Sequence, residues 1–136
     1  MAMTTFPEWT FPSNIAELVD ENDGWLEDTR WHPMLLTVDS GTSYKGRDIP
    51  LSWQIEFEPS DAVFANANAK IQALGVEPDG YGWAQVIGSV VARHHPELAK
   101  ELHFGDTEIA ALVVWVESEG SCGVLMRILW SLVHSS

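Results

Sequence analysis

Four residues in the second half of the chain, His94, His95, His103 and Cys122, are of the types that hold zinc. Structural zinc sites space their ligands as C-x2-4-C or H-x3-5-H pairs, so that two donors from one turn reach a single ion. Neither spacing occurs in the chain. His94 and His95 are adjacent, and on a helix neighbouring side chains diverge by about 100°, so the two do not converge on one ion. Imidazole at a helix C-terminus suits the negative end of the helix dipole instead. The tract DENDG, residues 20–24, has the acids and the glycine of a calcium loop. An EF-hand with Gly24 at its sixth position would start at Val19 and end at Arg30, so both end ligands are missing. No metal and no other cofactor is expected.

Nucleophilic and acid–base chemistry find no stronger support. Cys122 is the one cysteine. It falls in the first turn of an expected helix, where the dipole can lower a thiol pKa, but no nucleophile motif flanks it. A small residue at a helix start is the commoner explanation. Carboxylate pairs abound among 20 acids, so no pair is diagnostic of hydrolysis. The run GYGWAQVIG lacks the Lys-Ser/Thr of a phosphate loop, and its glycines fit a tight turn and close packing.

What stands out is charge. The 136 residues carry 20 acids against 7 Lys and Arg, a formal charge of −13. That field repels phosphate backbones and anionic lipid, so neither nucleic acid nor membrane is an expected partner. It attracts a basic protein and also serves solubility; both follow from the same physics. Residues 17–29, ELVDENDGWLEDT, hold six carboxylates, no base and Trp25. The lone cysteine excludes an internal disulfide and fits a reducing compartment. No signal-peptide pattern and no apolar run of about 18 residues is visible, so the expected location is the cytoplasm.

These side chains need a frame, and the periodicities supply one. Asn14 and the shared face of Ile15, Leu18 and Val19 predict a short helix over 14–21, stopped by Asp23-Gly24. Residues 34–39, MLLTVD, read as a strand. Residues 52–58, SWQIEFE, set Trp53, Ile55 and Phe57 against Gln54, Glu56 and Glu58, the mark of a half-buried antiparallel strand. The intervening GTSYKGRDIP reads as a long hairpin connection.

Ser60 as cap opens a helix with Val63, Phe64, Ala67, Ile71 and Leu74 inward, closed by Gly75. A second helix over 81–94 turns Trp83, Val86, Ile87, Val90 and Val91 inward, and Pro96 starts a third, PELAKEL. Residues 109–116 are apolar on both faces, hence a central strand. Ser121 caps a last helix with Val124, Leu125, Ile128, Leu129, Leu132 and Val133 on its apolar face. Residues 1–14 show little periodicity and are expected to lie extended over the surface. No linker or repeat divides the chain, so residues 1–136 read as one α+β domain, a small, mainly antiparallel sheet packed with about four helices. Residues 1–30 form an acidic segment packed on it.

The stretch from residue 60 to 132 resembles the bacterial immunity protein 51 family. The resemblance is carried by Gly80-Tyr81-x-Trp83 opening a helix, Pro96-Glu97-Leu98, and Leu102-x-Phe104 with Asp106 and Glu108 nearby. An apolar strand and a closing helix follow. Members tend to carry Asp-Pro-Glu after the phenylalanine, where this chain has Gly105-Asp106-Thr107-Glu108. The resemblance implies a protein that binds and neutralises a toxin delivered by a neighbouring cell, with no enzymatic activity of its own. Such toxins are often nucleases, and a nuclease cleft is basic, which agrees with the −13 charge.

The expected toxin-facing residues are Asp20, Glu21, Asp23, Trp25, Glu27, Asp28, Asp48, Glu56, Glu58 and Asp61. Trp25 serves as the apolar anchor. Two other readings stay open: a scaffold or self-associating domain, functioning as a homodimer, and a small hydrolase with a carboxylate site.

Overall fold

The computed structural model of the protein describes residues 5–105 and 107–134. Its framework grows from one turn. Lys45 and Gly46 both hold positive φ, 50° and 79°. Two consecutive left-handed residues make the tight loop whose twist matches a hairpin. Strand β2 (Leu35–Tyr44) therefore runs straight into β3 (Arg47–Phe57), in register from Leu35↔Glu56 to Tyr44↔Arg47. Residues 41–50, expected as a long connection, are mostly strand. Gly41, at φ 73°, and Pro50 lie across from one another there, and both residue types are poor strand formers.

Three further strands complete the sheet. β1 (Trp25–Asp28) pairs with β2, and β5 (Leu112–Val116) pairs with β3. The two-residue β4 (His103–Phe104) pairs with β5. The order is β1-β2-β3-β5-β4, antiparallel throughout. β1 and β4 were not expected; two to four residues leave too short a pattern to read. Five helices join the strands: α1 (Ile15–Glu21), α2 (Ala65–Ala73), α3 (Gly80–His94), α4 (Pro96–Ala99) and α5 (Glu119–His134). The protein is a small α+β domain.

The helices cover one face of the sheet. Leu36, Val38, Trp53, Ile55, Phe57, Leu112, Val114 and Val116 point to that face. They share one buried cluster with Val19 of α1, Ile71 of α2, Trp83, Ile87 and Val91 of α3, Leu98 of α4 and the α5 residues. Trp83 is fully buried, and its indole N–H donates to Asn68 Oδ1 at 2.8 Å, which satisfies the polar atom that burial would strand.

Several local details differ from expectation. Asp61, not Ser60, caps the turn before α2: its carboxylate accepts from Val63 N, and a 3-10 turn (Ala62–Phe64) precedes the helix. Phe64, Ala67 and Ile71 are buried as expected, but Val63 and Leu74 are exposed. Asn14 makes no side-chain cap bond. Helix α5 starts at Glu119, with Ser118 Oγ accepting from Ser121 N. Its inner face is Cys122, Leu125, Met126, Leu129, Trp130 and Val133, while Val124 is exposed. The bulkier Met126 and Trp130 take the core side.

The N-terminal residues are not draped over the surface either. Phe6, Trp9 and Phe11 pack on the core, in ring contact with Trp31, Trp53 and Trp130. The Trp9 ring lies flush on α5, where a β-carbon at Gly123 would come 2.9 Å from its Nε1. The Trp9 and Trp31 indole N–H groups are buried with no hydrogen-bond partner among the described residues. Each such orphan costs roughly 1–3 kcal/mol, which the ring packing must exceed.

Glycines in α3 separate two effects. A β-carbon at Gly82 would collide with the backbone carbonyl of Glu77, whereas at Gly88 it would only touch the Phe104 ring at 4.0 Å. Gly82→Ala is expected to lower stability by about 1–3 kcal/mol through overpacking. Gly88→Ala is expected to raise it by about 0.5–1 kcal/mol, the usual gain in a helix interior. Urea denaturation of the two variants checks both signs.

Candidate functional site

Residues paired across antiparallel strands share a face. The ladder therefore places Glu27, Thr37, Gln54, Trp115 and His103 in one row on the side away from the helices. Trp25, Asp39 and Ser52 form a second row, and Leu35, Glu56 and Val113 a third. This open face thus carries three carboxylates, Glu27, Asp39 and Glu56, with Trp25 at the β1 edge. Trp25 is 45 % exposed. Burial raises the Asp39 pKa above the ordinary carboxylate range.

The acids continue past the end of β3. Glu56, Glu58 and Asp61 line an open depression with Pro33, Leu35 and Ala111. Glu56 also lines a second depression with Gln54, Glu108, Val113 and Trp115. Neither depression is lined by a Lys or Arg among the described residues. Loop, strand and cap geometry hold these carboxylates apart in fixed directions. A cation brought from outside would relieve their mutual repulsion.

The structure brings together Trp25, Glu27, Glu56, Glu58 and Asp61 of the expected residues, on or beside the open face. It separates the others. Asp20 and Glu21 sit exposed on α1, whose Val19 is in the core, so they belong to the helical side. Asp23 lies in the turn before β1 at φ 59°. Asp48 is on the hairpin arm beyond β1, opposite Ser43. Asp28 is engaged internally: Arg30 Nη2 approaches it at 2.7 Å and Arg30 Nε at 3.0 and 3.1 Å. Burial alone would raise the Asp28 pKa; the hydrogen bonds from Arg30 outweigh that and hold it below the usual range.

The same guanidinium donates to the carbonyls of Glu8 and Thr10 and lies over Phe11 and Trp31. Asp28 thereby fastens the N-terminal segment. Residues 17–29 accordingly split between the helical side, the turn and the sheet. Sequence reasoning missed Asp39, Glu108 and Trp115. Asp39 was within reach, because Thr37 and Asp39 continue the polar phase of β2; Trp115 sits in a run apolar on both faces, which hides its direction.

Glu117 organises the far end of the open face. Arg47 grips it with both terminal nitrogens at 3.0 Å, and His103 Nε2 meets Oε2 at 2.7 Å. The rings of Tyr44, His103 and Trp115 pack beside them. The β2–β3 arm is so pinned across β5 to β4. The hydrogen bonds from Arg47 and His103 push the Glu117 pKa down to about 2.

At the other edge Asn22 occupies the backbone of Trp25: its Nδ2 donates to Trp25 O at 2.7 Å, and its carbonyl accepts from Trp25 N at 3.4 Å.

Cys122 is fully buried, and burial, reinforced by Glu119, raises its thiol pKa, the reverse of what the helix start alone would do. Among the described residues no group of three or more His, Cys, Asp or Glu is arranged to hold a metal. No described helix is long and apolar enough to cross a membrane. Asp106 lies outside the described residues. Searches against protein-family models, curated proteins and solved structures found no match.

Glu117 makes acid stability testable. Its folded pKa of about 2 lies below the ordinary 4.5, so its stabilisation is complete above pH 4.5 and is lost as pH falls toward 2. Glu117→Gln is expected to be less stable than the parent above pH 4.5, with the gap narrowing toward pH 2. Urea midpoints measured across that range check it.

Proposed function

We propose that the protein is an immunity-type inhibitor that neutralises a bacterial toxin by charge-complementary binding, and that the target is a basic, nuclease-type domain. The observation that carries this reading is the open sheet face with its adjoining depressions. Glu27, Asp39 and Glu56 are mounted there on strands, Glu58, Asp61 and Glu108 on the adjoining loops, with Trp25 exposed at the β1 edge. Carboxylates fixed in place lose little freedom on meeting Lys or Arg, so more of the attraction is realised as binding. A cleft built for a polyanion presents the matching charge.

The resemblance of residues 60–132 to the immunity protein 51 family supports the same class. The action is binding in the cytoplasm, without turnover. Asp39 across from an exposed Trp25, with Glu27 two residues along the same strand, has the make-up of a polar rim around an aromatic anchor.

The test is association kinetics with the basic C-terminal domain of the toxin encoded beside its gene. Glu56→Lys with Glu58→Lys is expected to slow association about tenfold at low salt, with the difference shrinking as salt rises. Both side chains lie outside the core, so the thermal midpoint stays near that of the parent. Unchanged association and unchanged protection from the toxin would show that this face is not the binding surface.

A further inference from the structure

The turn that leads into β5 carries a large apolar side chain that the core does not use. Ala111 N donates to Glu108 O at 3.3 Å and Glu108 N to Ala111 O at 2.8 Å, so Ile109 and Ala110 are the central residues of a tight turn. Such positions favour Gly, Asn, Asp or Pro. Ile109 is instead β-branched and 69 % exposed. The turn is braced on two sides. Gly80 N donates to Ile109 O at 2.9 Å, and a β-carbon at Gly80 would collide with the Glu108 carbonyl. Thr107 Oγ1 donates to Val113 O at 3.0 Å and accepts from Val113 N at 3.1 Å. Tyr81, the residue after Gly80, is 57 % exposed and adds to the apolar area. The turn sits at the rim of the acidic depressions: Glu108 lines one of them with Glu56, and Ala111 lines both.

We propose, resting on the toxin-binding reading above, that Ile109 is an apolar anchor for the basic domain that covers the open face. That domain presents an apolar recess bordered by Lys or Arg: the recess encloses Ile109, and the cations meet Glu56 and Glu108. Charge decides the occupant. A second copy would bring Glu56, Glu58, Asp61 and Glu108 against their own equivalents, and no Lys or Arg lines the depressions among the described residues. Anionic lipid and nucleic acid meet the same repulsion. A side chain on a turn already locked by hydrogen bonds loses little freedom when it is enclosed. The acids around it supply the polar ring that shields such an anchor from water. β5 lies three strand spacings, roughly 14 Å, from β1. Trp25 and the turn therefore fit under one partner of ordinary interface size.

The test is surface-plasmon kinetics of the full chain against the basic C-terminal domain of the toxin encoded beside its gene. Ile109→Asn installs a good turn former and leaves the charge unchanged. It is expected to speed dissociation by more than about tenfold, with association altered by less than about twofold and the urea midpoint kept. Ile109→Asp adds an acid to the rim and is expected to dissociate as fast, because charge does not replace apolar burial. Glu56→Lys with Glu58→Lys acts on association instead, which keeps the two readings apart. If that variant slows association while both Ile109 variants dissociate within about twofold of the parent, the acidic surface stands and the anchor is overturned. A dissociation rate that rises only in step with a lowered urea midpoint overturns the anchor too. A parent chain that does not bind the domain overturns both.

Discussion

Alternation along β3 is the constraint on which the rest of the molecule depends. Trp53, Ile55 and Phe57 demand an apolar cover on one side, and all five helices contribute to the cluster that supplies it. The other side is then left to polar residues by the two-residue period of a strand. Placing the helices on one face fixes where charge can go. The polar face of β3 continues across β2 and β1 through the ladder, so Glu27, Asp39 and Glu56 come to share one face although 29 residues separate the first from the last.

The few cations sharpen the contrast. Arg30 is bound to Asp28 and to two carbonyls of the N-terminal segment. Arg47 is bound to Glu117, and Lys100 to Glu97. These pairs are partly or well exposed, so each is worth little as free energy. Their effect is one of distribution. Positive charge spent on fastening the hairpin and the N-terminal segment does not offset the acids of the open face.

Much of this was legible in sequence because the decisive signals are periodic. The alternation of residues 52–58, the inward Trp83, Ile87 and Val91 of α3 and the left-handed Gly75 appear where expected; β5 takes only 112–116 of the expected 109–116, and Val86 and Val90, expected inward, line a surface groove. What escaped was short or set by tertiary partners. WLED is four residues long, and only pairing with Thr37 and Asp39 gives its side chains a direction. The aromatic N-terminal segment has no period, because its rings fill gaps between Trp31, Trp53 and Trp130 and do not line one face of an element. The rotation of α5 depends on Trp9 lying against Gly123, a contact that no local pattern encodes. For the site, the acids of β3 and the loop after it were found from their alternation. The grouping of residues 17–29 as one surface failed because a helix end, a turn and a strand divide them.

The Asn22 side chain has a consequence for how the protein keeps company. A bare border strand invites another chain to add itself by main-chain pairing, the first step toward cross-β deposits. Here an amide plugs the exposed backbone of Trp25, and Glu27 puts negative charge on the next outward position. Such an end resists being lengthened. Encounters with other molecules are turned toward side-chain surfaces, where specificity can be written, and away from the indiscriminate grammar of the peptide bond.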